Sequence, residues 1–344
     1  MKRSIVSFTR LPRLVFTFGT AALLGSLSVP ANAAPIIDWA TVGDPGNAAD
    51  TTGYGAVAES FQIMKYEFTN QQYTDFLNSV AATDTYSLYN ASMGSDARGG
   101  ITQSGESGTY TYAVKTNMGD KPVNYVSWFS AARVSNWLMN GATGTSSTET
   151  GAYTLSGSTS GDAPALNPGA TYFVPSEDQW YKAAYYKGGS TNAGYWTYAT
   201  QSDTAPTAVL AGSTGIGSAG NTGNFANYNS TASWNSQTGS VTTVGTNGGA
   251  SAYGAFDMNG NVSEWNDLTG AAGSQRGLWG GDFGTNGSGN LREFLRGFIL
   301  ELPINAAGIR LASPVAVPEP STYAMALAGL ACGGYSMFRR RKQA

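Results

Sequence analysis

No histidine occurs in the 344 residues of this chain, and cysteine occurs once, as Cys332. The first absence removes Ser-His-Asp and Cys-His nucleophile systems and every zinc, copper or iron site built on imidazole. The second removes disulfides and thiolate metal centres from the long stretch before Cys332. A metal is then expected to be a hard cation held by oxygen, calcium before magnesium, and no copper is expected. Charge is scarce too, with Asp, Glu, Lys and Arg at 12%. Eight of the 19 basic residues sit at the two ends (Lys2, Arg3, Arg10, Arg13, Arg339, Arg340, Arg341 and Lys342), with one of the 22 acids, Glu319. The middle keeps 11 basic against 21 acidic residues, a net of −10. Such a surface argues against a nucleic-acid partner, whose phosphates need Lys and Arg. It suits cation binding or plain solubility. Glycine is plentiful, at 45 residues, and 41% of the chain is hydrophobic, which predicts a core threaded by many turns.

Both ends read as sorting signals. The basic start is followed by an apolar run from Leu14 to Leu27 and by Ala31-Asn32-Ala33, an A-x-A site that predicts cleavage between Ala33 and Ala34 by signal peptidase. The other end carries Pro318-Glu319-Pro320, an apolar stretch over 322–338, and then Arg339-Arg340-Arg341. Seventeen residues at about 1.5 Å each span roughly 25 Å, enough for a thin bilayer, and the basic cluster would stay on the cytoplasmic side. This three-part end resembles the PEP-CTERM sorting signal of Gram-negative bacteria. The resemblance implies recognition by an exosortase, a membrane-bound stage before processing, and a final place on the cell surface or in the extracellular matrix. The expected organisation is a signal peptide over 1–33, one domain over 34–316 and a sorting segment over 317–344.

Within the middle, the run from Phe61 to Phe68 alternates as a half-buried strand does. Thr69 and Gln72 form a capping box, after which Tyr73, Phe76, Leu77 and Val80 fall on one helical face. Lys121 to Trp128 reads as a strand ending at a Ser127 N-cap, followed by a helix that points Ala131, Val134 and Leu138 inward with Trp137 beside them. A second capping box, Ser176 with Gln179, opens another helix, and residues 140–168 read as a long surface loop. Composition and pattern alone give a Gly-rich α+β domain.

The stretch Asp257-Met258-Asn259-Gly260-Asn261-Val262-Ser263-Glu264-Trp265, followed by Trp279-Gly280-Gly281-Asp282-Phe283, resembles the core signature of the formylglycine-generating, sulfatase-modifying factor family. Four further blocks are similar to the family in the same order: YEFTNQQYTDFL, PVNYVSWFSAARVSNWL, FVPSEDQWYKAAYY and AGIRLA. The resemblance implies an elaborated C-type-lectin-like α+β fold with little regular secondary structure; the two ends flank it with the expected signal peptide and C-terminal transmembrane helix. It implies a structural calcium on Asp257, Gly260, Val262 and Glu264, and a weaker second site at Asn227 and the Tyr228 carbonyl. Read without it, the same loop is a turn that packs Trp265, its acids bonded to backbone. The family's oxidase uses two cysteines, whose positions fall here on Thr285 and Asn290, neither of which forms a thiolate or holds copper(I).

Other candidates follow from residue type. Arg292 and Arg296 are candidates for an anionic group in a residual cleft, or for ion pairs with Glu293 or Glu301, and Arg310 for a structural ion pair. Trp196 and Trp234 lie in loops and are candidates either for stacking on sugar rings or for pinning their own loops down, while Trp128, Trp180, Trp265 and Trp279 are expected in the core. Glu177 and Asp178 begin a helix, where acids favour the dipole, so a glycoside hydrolase is disfavoured. The leading expectation is an exported, non-catalytic domain that binds polysaccharide or an envelope protein. The alternatives are formylglycine-generating oxidase activity, disfavoured by the missing cysteines, and a purely structural surface protein.

Overall fold

The computed structural model describes residues 34–269, 271–273, 276–292, 295–296 and 304–315. The cleavage site at Ala33 and the sorting segment with Pro318, Glu319, Pro320, Arg339, Arg340 and Arg341, including the expected membrane helix, lie outside the described residues. Among the described residues no helix is long and apolar enough to cross a membrane.

Two small sheets and three longer helices frame the core. Strands β1 (Trp39–Val42) and β2 (Phe61–Met64) pair antiparallel with Val42 opposite Phe61. The last described strand, β11 (Ala312–Pro314), pairs with the other side of β2, so the two ends of the domain close in one sheet. The second sheet runs β10 (Ala307–Gly308), β7 (Ser263–Asp267), β8 (Arg276–Trp279) and β9 (Leu295–Arg296). Its β7–β8 register sets Glu264 opposite Trp279, and the parallel β10–β7 register sets Gly308 beside Glu264. A hairpin of β3 (Ile101–Ser104) with β4 (Thr111–Val114), and two-residue strands β5 (Thr207–Ala208) and β6 (Phe225–Ala226), complete the sheets.

Both capping boxes form as predicted. Thr69 and Gln72 bond reciprocally at the start of α1 (Asn70–Val80), and Ser176 and Gln179 do so at α4 (Glu177–Tyr185). Between them lie the short α2 (Ala91–Ser95) and α3 (Trp128–Met139), which Ser127 caps by accepting from the Ser130 amide. Tyr73, Phe76 and Leu77 of α1 are buried, as the periodicity requires.

Two local expectations need correction. The strand expected over Lys121–Trp128 does not form, because Tyr125 adopts φ +58° and breaks the extended run. The strand expected over Phe61–Phe68 stops at Met64. The segment 140–168 is an irregular and largely exposed loop, as expected, but it is anchored where Ala152, Tyr153, Leu155 and Ala163 are buried against α3. Asn136 of α3 holds that segment by donating to the Thr148 and Tyr153 carbonyls at 2.8 and 3.0 Å, and Arg133 pairs with Glu149 at 2.7 Å. Amides and an ion pair, not apolar periodicity, dock it, so α3 is buried on nearly every side.

Candidate functional site

The signature loop is held in a left-handed path. Asp257, Gly260 and Asn261 have φ of 58°, 85° and 65°. A Cβ on Gly260 would overlap the Asn227 backbone, which approaches it as a parallel bridge partner, so glycine is required there. Asn259 accepts from the Ala199 amide at 2.8 Å and donates to the Leu291 carbonyl at 3.1 Å. Asn261 accepts from the Thr242 amide and donates to Glu67, both at 2.8 Å. The two asparagines therefore tie four distant segments to one turn.

The two acids of the loop face different partners. Asp257 accepts from the Gly245 amide and from Asn247 Nδ2 at 2.9 Å. Glu264, fully buried, receives two bonds of 2.7 Å from Arg310 and one of 2.6 Å from Trp180 Nε1. Arg310 is the structural ion-pair residue expected from the sequence, and it also donates to the Met64 and Phe256 carbonyls at 2.8 Å. A third buried acid, Glu67, was not anticipated as part of this group, although it stands in the first family block. Burial pushes its carboxyl well above the usual range, and Asp257 and Glu264 push it further. Burial also raises Asp257.

Calcium needs six to eight oxygens, several of them anionic. Each carboxylate oxygen of Asp257 and Glu264 already accepts a hydrogen bond within the protein, and Arg310 supplies the positive charge beside Glu264. Among the described residues no three acidic, cysteine or histidine side chains converge to hold a metal. The donor set at Asp257, Gly260, Val262 and Glu264 thus does not fit calcium in this conformation. Asn227 differs. Its Oδ1 is buried with no hydrogen-bond partner, as is Ser240 Oγ, whose backbone carbonyl accepts from Asn227 Nδ2 at 2.9 Å. The Tyr228 carbonyl accepts from Thr231 Oγ1 at 3.1 Å. These oxygens are neutral, so they fit a cation only weakly.

A separate cavity of about 450 Å³ opens beyond β8. Thr285 and Asn290, the two positions matched to the family's cysteines, both line it. Asp282, Asn286, Asn305 and Phe283 supply much of the remaining wall. Asp282 Oδ1 accepts from the Gly284 amide at 2.6 Å, and the Asp282 amide donates to Thr285 Oγ1 at 2.8 Å, so the acid is pinned in a tight turn. Burial raises its carboxyl above the ordinary value, against the pull of the Gly284 and Thr285 amides. Asn305 went unnoticed in the sequence because it is an isolated polar residue beyond the last long motif; the Asn124 amide fixes its carbonyl at 3.0 Å. The side chains of Arg292 and Arg296 lie outside the described residues.

The expected core tryptophans are buried, at 0–2% exposure, and Trp180 stacks on Trp279 with ring centroids 5.8 Å apart. Trp234 is a correction, for it is buried at 7% exposure beside Val241 and Phe283, donates to the Val241 carbonyl and carries Lys121 at 4.8 Å over its ring. It pins its own loop and offers no platform. Trp196 is half-buried with Lys187 at 4.3 Å over its ring.

These features define a mixed α/β domain with few helices and a tightly tied Asn-Gly-Asn turn. Residues 45–314 match the sulfatase-modifying factor enzyme 1-like domain, and residues 316–342 match the PEP-CTERM protein-sorting motif. The chain belongs to the sulfatase-modifying factor family. Its sorting motif marks it for processing by the exosortase system and export to the envelope of a Gram-negative bacterium. Among solved structures it is similar to CarF, at 21% identity and a TM-score of 0.50, over 82% of this chain and 99% of that one. It is also similar to Treponema denticola variable protein 1 (18% identity, TM-score 0.48, over 83% and 98%) and to PvdO from Pseudomonas aeruginosa (16%, 0.39, over 81% and 92%). At such identity the likeness to CarF speaks for the fold alone. The comparison with curated proteins gave no match.

Proposed function

We propose that this exported domain is a non-catalytic ligand-binding member of its family, and that the cavity at 281–290 takes a neutral, polyhydroxylated ligand of the polysaccharide class. The observation that carries this reading is the exchange of chemistry at one place. Where the family resemblance puts two thiols, the cavity wall has a hydroxyl at Thr285 and an amide at Asn290, beside the Asp282 carboxylate and further asparagines. Side-chain amides, hydroxyls and one carboxylate pair well with sugar hydroxyls, each of which both donates and accepts. The net charge of −10 in the middle of the chain disfavours a polyanion.

An oxidase that turns a substrate cysteine into formylglycine needs a thiol to relay electrons, and the one cysteine of the sequence, Cys332, belongs to the sorting segment and is not among the cavity's lining residues. Calcium enters this reading as a weak structural ion at Asn227 and the Tyr228 carbonyl, where it would add positive charge among neutral oxygens. Final residence on the cell surface or in the matrix follows from the sorting signal and a glycan ligand. The test is retention of the full-length protein on the producer's own exopolysaccharide, comparing wild type with Asp282→Ala. A parallel incubation with a cysteine-containing sulfatase peptide, read by mass, tests the oxidase alternative.

A further inference from the structure

A second cleft, of about 330 Å³, lies between the turn at 86–91 and the start of α3. Its size falls at the lower end of the range for ligand pockets, about 300–1,000 Å³. Four aromatic rings line it: Tyr86, Tyr89, Tyr125 and Phe129. Apart from Ala91, the rest of its wall is hydroxyl and amide, with no charged side chain among the described lining residues.

Three of the rings are fixed from behind. The guanidinium of Arg133 lies 4.2 Å from the Tyr86 ring centre and is itself locked to Glu149 at 2.7 Å. Tyr89 packs on Tyr112 at 5.5 Å and bonds the Ile101 carbonyl at 3.3 Å. Phe129 carries Arg276 at 4.5 Å over its ring. Tyr125, a bulky residue at φ +58°, is turned into the wall by a backbone conformation that such residues rarely adopt. Rigid rings bind without losing much side-chain freedom.

The polar groups of the wall divide in two. Ser127 and Ser130 are occupied by the α3 cap. Tyr86 Oη, Ser87 Oγ, Asn90 Nδ2 and Thr159 Oγ1 form no hydrogen bond to the described residues, so they remain available to a ligand. Phe129 and Tyr125 are buried, at 2% and 8% exposure, and form the floor, so the faces open to a ligand are those of the half-buried Tyr86 and Tyr89. Two fixed aromatic faces set among free hydroxyl and amide groups, without charge, match the apolar face and hydroxyl rim of a neutral pyranose ring.

We infer that this cleft is a binding subsite for a neutral sugar ring of a polysaccharide. It takes its ligand class from the reading of the 281–290 cavity and adds a second, independent place of contact. The two are neighbours: Asn124 bonds the carbonyl of Asn305, which lines the first cavity, and the next residue, Tyr125, lines the second.

The test titrates the full-length protein, purified in detergent, with cellohexaose, maltohexaose and laminarihexaose in a calorimeter, with alginate as the charged control. Two variants probe the cleft: Tyr86→Ala removes a ring, and Thr159→Trp, at an exposed position, fills the space without touching the core. Each is expected to weaken binding of at least one hexaose about tenfold or more with an unchanged melting temperature. Wild-type affinity in both variants, absence of saturable binding to all three hexaoses, or tighter binding of alginate overturns the inference. A loss confined to Asp282→Ala overturns this cleft while leaving the first cavity standing.

Discussion

Arg310 grips Glu264 through two bonds of 2.7 Å, and both side chains are buried, at 0% and 1% exposure. The pair spans the two sheets, since Arg310 follows β10 and also anchors the Met64 carbonyl at the end of β2. A bidentate pair in such a place couples the closing strand of the domain to its signature loop.

Breaking that pair on one side leaves a buried, unpartnered charge. Arg310→Met is expected to destabilise the protein by about 3–5 kcal/mol, read as a shift in the denaturant midpoint. Adding Glu264→Gln to Arg310→Met should recover part of the loss. A cost below about 1 kcal/mol for the single variant would remove Arg310 from its structural role.

Glu67 sets a pH dependence. Burial, then Asp257 and Glu264, raise its folded value above the ordinary 4.5, so the folded chain holds this proton more tightly than the unfolded one. The contribution is therefore full below about pH 4.5 and is lost as pH rises through the higher folded value. The stability of the wild type relative to Glu67→Gln should fall with rising pH, with a slope of at most about 1.4 kcal/mol per unit. Urea melts of both proteins from acid to neutral pH check this; a flat or rising difference contradicts it.

Gly260→Ala tests the backbone. A Cβ there meets the Asn227 backbone and must adopt φ +85°. The expected loss is upwards of about 2 kcal/mol, with thermal unfolding as the measurement. Gly254→Ala, where nothing lies in the way but φ is +92°, should cost less, about 1–2 kcal/mol.

Calcium should act weakly. Chelator is expected to leave the melting temperature unchanged, and added calcium to raise it only from about 0.1–1 mM upward, an effect that Asn227→Ala removes. A fall of several degrees in chelator alone would show a tight site and overturn the assignment of Glu264 to Arg310.

Much of this was legible in the sequence because local chemistry specified it. Thr69 with Gln72 and Ser176 with Gln179 are complete capping instructions, and both helices begin where those residues say. The order of the family blocks carried the fold, and the spacing from Gly281 to Thr285 and Asn290 put two residues on one cavity wall. What escaped was set by contacts distant in the chain. The docking of 140–168 rests on Asn136 and Arg133, polar residues that periodicity ignores. Trp234 sits in a polar loop whose sequence leaves its role open, and Val241 and Phe283 bury it. The resemblance marked Glu264 as a calcium ligand and said nothing of its ion pair; only the fold brings Arg310, 46 positions away, onto both of its oxygens.

The most direct test of a non-catalytic, glycan-binding domain is the equilibrium binding of the full-length protein to the producer's exopolysaccharide, for wild type and Asp282→Ala. Saturable binding by the wild type, weakened about tenfold or more by the substitution, is the predicted result. Equal binding by both proteins, or none by either, would contradict the account.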